Sequence, residues 1–69
     1  MNRDIIHGHW HELKGKVRKQ WANLTDDDLA HLNGTREELR GLLQKKYGFE
    51  KERVEKEIDK FIEQSGFHE

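Results

Sequence analysis

The 69-residue chain has no cysteine and no proline, a single serine at Ser65, and no long apolar run. Each absence removes a class of answer. Without cysteine there is neither a disulfide framework nor a cysteine-based zinc site, so a fold this small must rest on well-formed helices or on dimerisation. Without an apolar stretch of about 20 residues there is no candidate membrane span, and residues 1–7 hold no run long enough for a signal peptide, which makes the cytoplasm the expected compartment. Charge of one sign is also lacking: 13 Lys and Arg against 14 Asp and Glu leave a formal −1, which argues against a dedicated nucleic-acid binder. Nucleophilic catalysis has little to draw on, because Ser65 falls in an apparent helix terminator without a base placed beside it. Gly15, Gly34, Gly41 and Gly48 are dispersed and make no phosphate-binding loop.

What is present is a helical code. A hydrophobic fraction of 32%, a charged fraction of 39% and a mean hydropathy of −1.17 approach the composition of disordered chains. Spacing decides against disorder. Trp10, Leu13, Val17, Trp21 and Leu24 recur every three or four residues, so at about 100° per residue they form one apolar stripe, and a helix is predicted from about Gly8. Residues 1–7 stay unassigned, a loosely ordered lead-in or a first contact with the core through Ile5 and Ile6.

The next signal is Leu24-Thr25-Asp26-Asp27-Asp28-Leu29. Thr25 is placed to accept from the free amides of a new helix while Asp28 reaches back to the Thr25 amide, a capping box flanked by Leu24 and Leu29 at the positions that pack together. The three aspartates occupy a first helical turn, where the positive end of the helix dipole favours anions, so they read as capping residues and not as a metal or acid site. This second helix is expected to run from Thr25 to Asn33-Gly34, with Leu29 and Leu32 inward. Thr35 and Glu38 make a second box, opening a third helix to about Tyr47 with Leu39, Leu42, Leu43 and Tyr47 on its apolar face. Gly48 reads as its left-handed terminator, with Phe49 folding back on Leu43. The fourth helix, about Glu50 to Gln64, buries Val54, Ile58, Phe61 and Ile62, and its outer face offers Lys51–Glu55, Glu52–Lys56 and Arg53–Glu57 as i,i+4 pairs. Ser65-Gly66 ends it, and Phe67 is a candidate late core contact. The expected core is Trp10, Leu13, Val17, Trp21, Leu29, Leu39, Leu43, Val54, Ile58 and Phe61. Antiparallel neighbours on short connections are the simplest packing.

The run Trp10-His-Glu-Leu-Lys-Gly-Lys-Val17, followed by Trp21-Ala-Asn-Leu-Thr-Asp-Asp-Asp-Leu29, Gly34, Leu39, Gly41 and Tyr47-Gly48, resembles the bacterial CsbD-like family over nearly the whole chain. The resemblance implies one all-α domain over residues 1–69: a small SAM-like four-helix fold of two hairpins packed at a steep angle. It also implies an association with the general stress response. It implies no reaction, catalytic residue or cofactor.

Other chemistry is weighed against plainer roles. His7, His9 and His11 alternate, and an early helix start would put His7 and His11 at ligand spacing, but Gly8 opposes that start and no further ligands are evident. His11-Glu12 begins a zinc-protease string whose second histidine is replaced by Gly15. His31 and His68 have no identifiable partner. Lys14, Lys16, Arg18 and Lys19 form the one cationic cluster that suggests nucleic-acid binding, with Trp10 and Trp21 as stacking platforms; helical projection spreads the four around the exposed surface instead of lining one strip. The leading functional expectation is a non-enzymatic, stress-associated helical interaction module with a protein partner. Nucleic-acid binding through those four cations and a hydrophilic protectant role in osmotic or desiccation stress are the alternatives.

Overall fold

The computed structural model describes residues 4–66. Among them five helices follow one another and no strand occurs: α1 (Ile5–Gly8), α2 (Trp10–Gln20), α3 (Asp26–Ala30), α4 (Arg36–Tyr47) and α5 (Lys51–Gln64). The all-helical expectation holds, but four helices become five because the lead-in contains one of its own. Asp4, in an extended conformation, accepts a hydrogen bond from His7 N–H at 3.0 Å and so caps a single turn. That turn drives Ile6 wholly into the core. The expected Phe67 contact and His68 lie outside the described residues.

Two helices stop earlier than their apolar spacing suggests. α2 ends at Gln20, and Trp21 follows in an extended conformation with φ −124°. Leu24 N–H then bonds to Trp21 C=O at 3.1 Å, a turn that keeps the two side chains on one side although the helix is over. The same device follows α3: Leu32 N–H bonds to Leu29 C=O at 3.1 Å beyond the last helical residue, Ala30. A spacing of three is thus shared by helix and turn, which is why the stripe outlasts the helix. His31 helps to close α3, its Nδ1–H donating to Asp27 C=O at 2.7 Å.

Both capping boxes form. Thr25 Oγ1 accepts Asp28 N–H at 3.0 Å while Asp28 accepts Thr25 N–H at 3.1 Å. Thr35 and Glu38 do the same at 3.2 and 3.1 Å. Gly48 closes α4 in the left-handed conformation, φ 69°. Phe49 stacks on Tyr47 with ring centroids 5.2 Å apart, and the Arg53 guanidinium lies 3.8 Å from the Phe49 centroid. Phe49 is part-buried and packs against the core that contains Leu43, with this cation-capped aromatic pair on its outer side.

Nine of the ten expected core residues are buried; Trp10 is half-buried, and Ile6 and Leu24 complete the core. Trp21 meets Phe61 at 5.0 Å between centroids in a tilted arrangement, joining the end of α2 to α5. Trp10 instead covers Gly34, whose backbone has φ +94° and whose missing side chain makes room for the indole: a Cβ there would sit 2.7 Å from Trp10 Cβ. The Asn33-Gly34 pair is therefore a docking point for Trp10 and not a helix terminator. Gly15 and Gly41 have nothing within 4 Å of an added Cβ, so neither marks a close approach of another element.

Candidate functional site

Several charged side chains on this fold join one helix to another. Arg36 is the centre of the largest group. Its Nε donates to Glu55 Oε1 at 3.0 Å, and its Nη2 reaches Glu55 C=O at 3.2 Å and Asp59 Oδ1 at 2.7 Å. Arg40 adds a bond to Glu55 Oε2 at 3.3 Å. The earlier arginine reaches the later acid, so α4 and α5 run in antiparallel register at this seam. Burial alone would lower the Arg36 pKa, but its hydrogen bonds to Asp59 and Glu55 outweigh that and hold it above the ordinary value. Glu55 is thus committed to α4 and not to the expected Lys51 along its own helix.

Two of the three aspartates, Asp26 and Asp28, reach different neighbours. Asp26 binds Arg18 of α2 at 2.7 Å, and Asp28 binds Lys46 of α4 at 2.9 Å, so the first turn of α3 is tied to both neighbours as well as capped. The Lys46 ammonium and the Thr25 N–H keep the Asp28 carboxyl below the usual carboxylate range. Glu38 is held low in the same way, by Thr35 N–H foremost and also by Asn33 N–H at 3.0 Å, against a smaller opposing effect of burial. Tyr47 Oη accepts Asn23 N–H at 3.2 Å, fixing the turn after α2 to the end of α4.

Against this background the four expected cations fall apart as a site. Arg18 is paired with Asp26. Lys14 shares the flank of Arg18, four residues away, whereas Lys16 and Lys19 lie on the other flank, three apart. Those two, with Gln20, Phe61, Gln64 and Ser65, line a shallow groove of about 250 Å³ between the ends of α2 and α5. Both helices present their carbonyl ends there, so the lysines sit where the helix dipoles favour cations and a phosphate is opposed. Trp21, 3% exposed, is unavailable for base stacking.

The histidines are likewise dispersed. His7 is on α1, His9 breaks the chain between helices with φ −122° and contacts Glu12 at 3.6 Å, and His11 is on α2, so His7 and His11 do not share one helix. Among the described residues no group of three or more His, Asp or Glu is placed to hold a metal ion, and no helix is long and apolar enough to cross a membrane. Ser65 caps the end of α5, its N–H bonded to Phe61 C=O at 3.0 Å. A second concavity of about 490 Å³ lies along the outer face of α5, where Arg53, Lys56 and Lys60 alternate with Glu57, Asp59 and Glu63.

The CsbD-like profile matches residues 4–56, from the Asp4 cap through α4 and into α5. The chain belongs to the CsbD-like family. Among CsbD-like relatives, UPF0337 protein ECA0631 of Pectobacterium atrosepticum is 44% identical over 68 residues, 99% of both chains. UPF0337 protein YjbJ of Escherichia coli K12 is 47% identical over 58 residues, 84% of each. UPF0337 protein pc0632 of Protochlamydia amoebophila is 49% identical over 61 residues, covering 88% of this chain and 92% of its own.

The CsbD-like motif residues map onto caps and core: Trp10 on Gly34, Leu13 and Val17 inside, Thr25 and Asp28 in a box, Gly48 at a terminator. Sequence reasoning missed the seam between α4 and α5 and the role of Asp4. A signal for the seam existed: Arg36 and Arg40 are four apart on one helix, and Glu55 and Asp59 four apart on the next. Asp4 stands three residues before His7 at the start of an Ile-Ile pair, an N-cap spacing too short-ranged to stand out.

Proposed function

We propose that this CsbD-like protein is a non-enzymatic helical interaction module of the bacterial general stress response, acting in the cytoplasm through contact with another protein. Membership of the CsbD-like family carries the reading, supported by homology along nearly the whole chain. The surface chemistry supports it too. Arg18, Arg36, Asp28, Glu55 and Asp59 are spent on joining helices, whereas Lys56, Lys60 and Glu63 on the outer face of α5 are exposed and placed to meet a partner of matching pattern. The same reading includes the SAM-like arrangement of two steeply crossed hairpins, and the antiparallel seam between α4 and α5 is the observation that favours it.

Affinity capture from stressed and unstressed cells, followed by reconstitution with the purified partner, tests this. One protein should be enriched under stress and should lose affinity when Lys56 and Lys60 are both changed to Glu. No specific partner, together with unchanged survival of a deletion strain, would remove the proposal. A salt-dependent mobility shift on DNA or RNA at low ionic strength would point instead to phosphate binding.

A further inference from the structure

Asn33-Gly34, in the loop between α3 and α4, is a sequence that lets an asparagine react with its own main chain. Gly34 has no side chain to hinder the approach of its nitrogen to the Asn33 side-chain carbonyl carbon, and a glycine backbone can turn to the orientation that ring closure needs. Once the Gly34 amide gives up its proton to solvent base, its nitrogen bonds to Asn33 Cγ, the Cγ–Nδ2 bond breaks, and Nδ2 takes up a proton and leaves as ammonia. Water then opens the succinimide at either carbonyl, giving aspartate or isoaspartate at position 33. No other reactant is required.

The fold restrains each participant. Asn33 is exposed, but its Nδ2 donates to Glu38 Oε2 at 3.4 Å and its N–H to Glu38 Oε1 at 3.0 Å, so side chain and main chain are tied to one carboxylate. Gly34 is buried under the root of the Trp10 side chain at φ +94°, which hinders both its rotation and the access of a base to its amide. The Thr35 N–H foremost, then the Asn33 and Gly34 N–H groups, hold the Glu38 carboxyl below the usual carboxylate range, against a smaller effect of burial. A carboxylate beside the Gly34 amide opposes loss of its proton, because two negative charges would then adjoin.

We propose that Asn33-Gly34 is a modification site gated by folding: Glu38 and Trp10 suppress succinimide formation while the α3–α4 loop is closed, and opening of the loop releases it. Refolding does not reverse the change. Aspartate at position 33 sets a second carboxylate beside Glu38 where an amide had donated to it, and isoaspartate adds a methylene to the main chain next to Gly34. Both products weaken the Thr35–Glu38 box, so chains that have spent time open carry a covalent mark at the start of α4. The inference concerns the chemistry of this loop and stands apart from the proposed stress-response role.

Incubation of the full chain in mildly alkaline buffer, with and without unfolding guanidinium chloride, tests it by peptide mass spectrometry and enzymatic isoaspartate labelling. Asn33 should be lost at least about tenfold faster from the unfolded chain than from the folded one. Glu38→Ala and Thr35→Ala both damage the same helix start, but only the first frees Asn33 and Gly34. Compared at denaturant concentrations that leave the two variants equally folded by circular dichroism, Glu38→Ala should lose Asn33 about fivefold faster. Equal rates in the folded and unfolded wild-type chain, or no loss of Asn33 from the unfolded chain, would overturn the proposal. So would equal rates in the two matched variants, which would leave Glu38 without a protective part.

Discussion

Replacing Gly34 by alanine tests the docking of α2 on the loop before α4. Two costs arise from the structure. The backbone sits at φ +94°, where an L side chain is strained by about 1–2 kcal/mol. The new methyl would also overlap Trp10 at Cγ, Cδ1 and Cβ, the root of the side chain, which cannot swing aside without moving the first turn of α2. Overpacking of this kind costs about 1–3 kcal/mol. The sum is about 2–5 kcal/mol, against the roughly 3–5 kcal/mol that a core of this size supplies in total. Gly34→Ala should therefore be partly or wholly unfolded at 25 °C.

Gly48→Ala is the internal control, because its backbone is also left-handed, φ +69°, but nothing lies within 4 Å of the added methyl. It should lose only the backbone part, about 1–2 kcal/mol. Urea titrations read by tryptophan fluorescence and circular dichroism measure both, and the difference between them isolates the Trp10 overlap. If Gly34→Ala unfolds within about 0.5 M urea of Gly48→Ala, a gap of only about 0.5 kcal/mol, the ring-on-glycine account is wrong.

Gly15→Ala and Gly41→Ala should each stabilise by about 0.5–1 kcal/mol, since both lie in helices with open space around them; a loss of stability in the same titration would reveal a hidden contact. Arg36→Ala should cost about 1–2 kcal/mol by opening the α4–α5 seam, and Arg36→Lys should recover little of it because an ammonium cannot hold Glu55 and Asp59 in the same fork. Asp28 and Glu38 have lowered pKa values, so their contribution is present above the unfolded carboxylate range and disappears as the pH falls through their folded values. The slope of stability against pH below the ordinary carboxylate range should flatten in Asp28→Asn and Glu38→Gln, as urea titrations at stepped pH would show. Tyr47→Phe, which leaves Asn23 N–H without its acceptor, should cost about 0.5–1.5 kcal/mol by the same method.

Most of the fold was legible because it is written in local rules. Two Thr boxes, a left-handed Gly48 and a three-or-four spacing place α3, α4 and α5 to within a few residues. The ends of α2 and α3 were not, because a turn with an i+3 hydrogen bond repeats the same spacing at Trp21–Leu24 and Leu29–Leu32. α1 was hidden by its shortness. The charges misled most: i,i+4 pairing along α5 is a rule about isolated helices, and Glu55 finds two arginines on a neighbour. The four cations of α2 were correctly judged to be spread out, but nothing local announces that Arg18 belongs to Asp26.

The two indoles occupy different districts of the molecule, Trp10 over the glycine of the α3–α4 loop and Trp21 against the Phe61 ring at the far end of α2. Each is therefore an optical reporter of its own end. A pair of single-tryptophan versions would let emission colour and quenching follow the amino-terminal junction and the interior separately. Any loosening confined to one end would be seen as two melting curves that no longer superimpose.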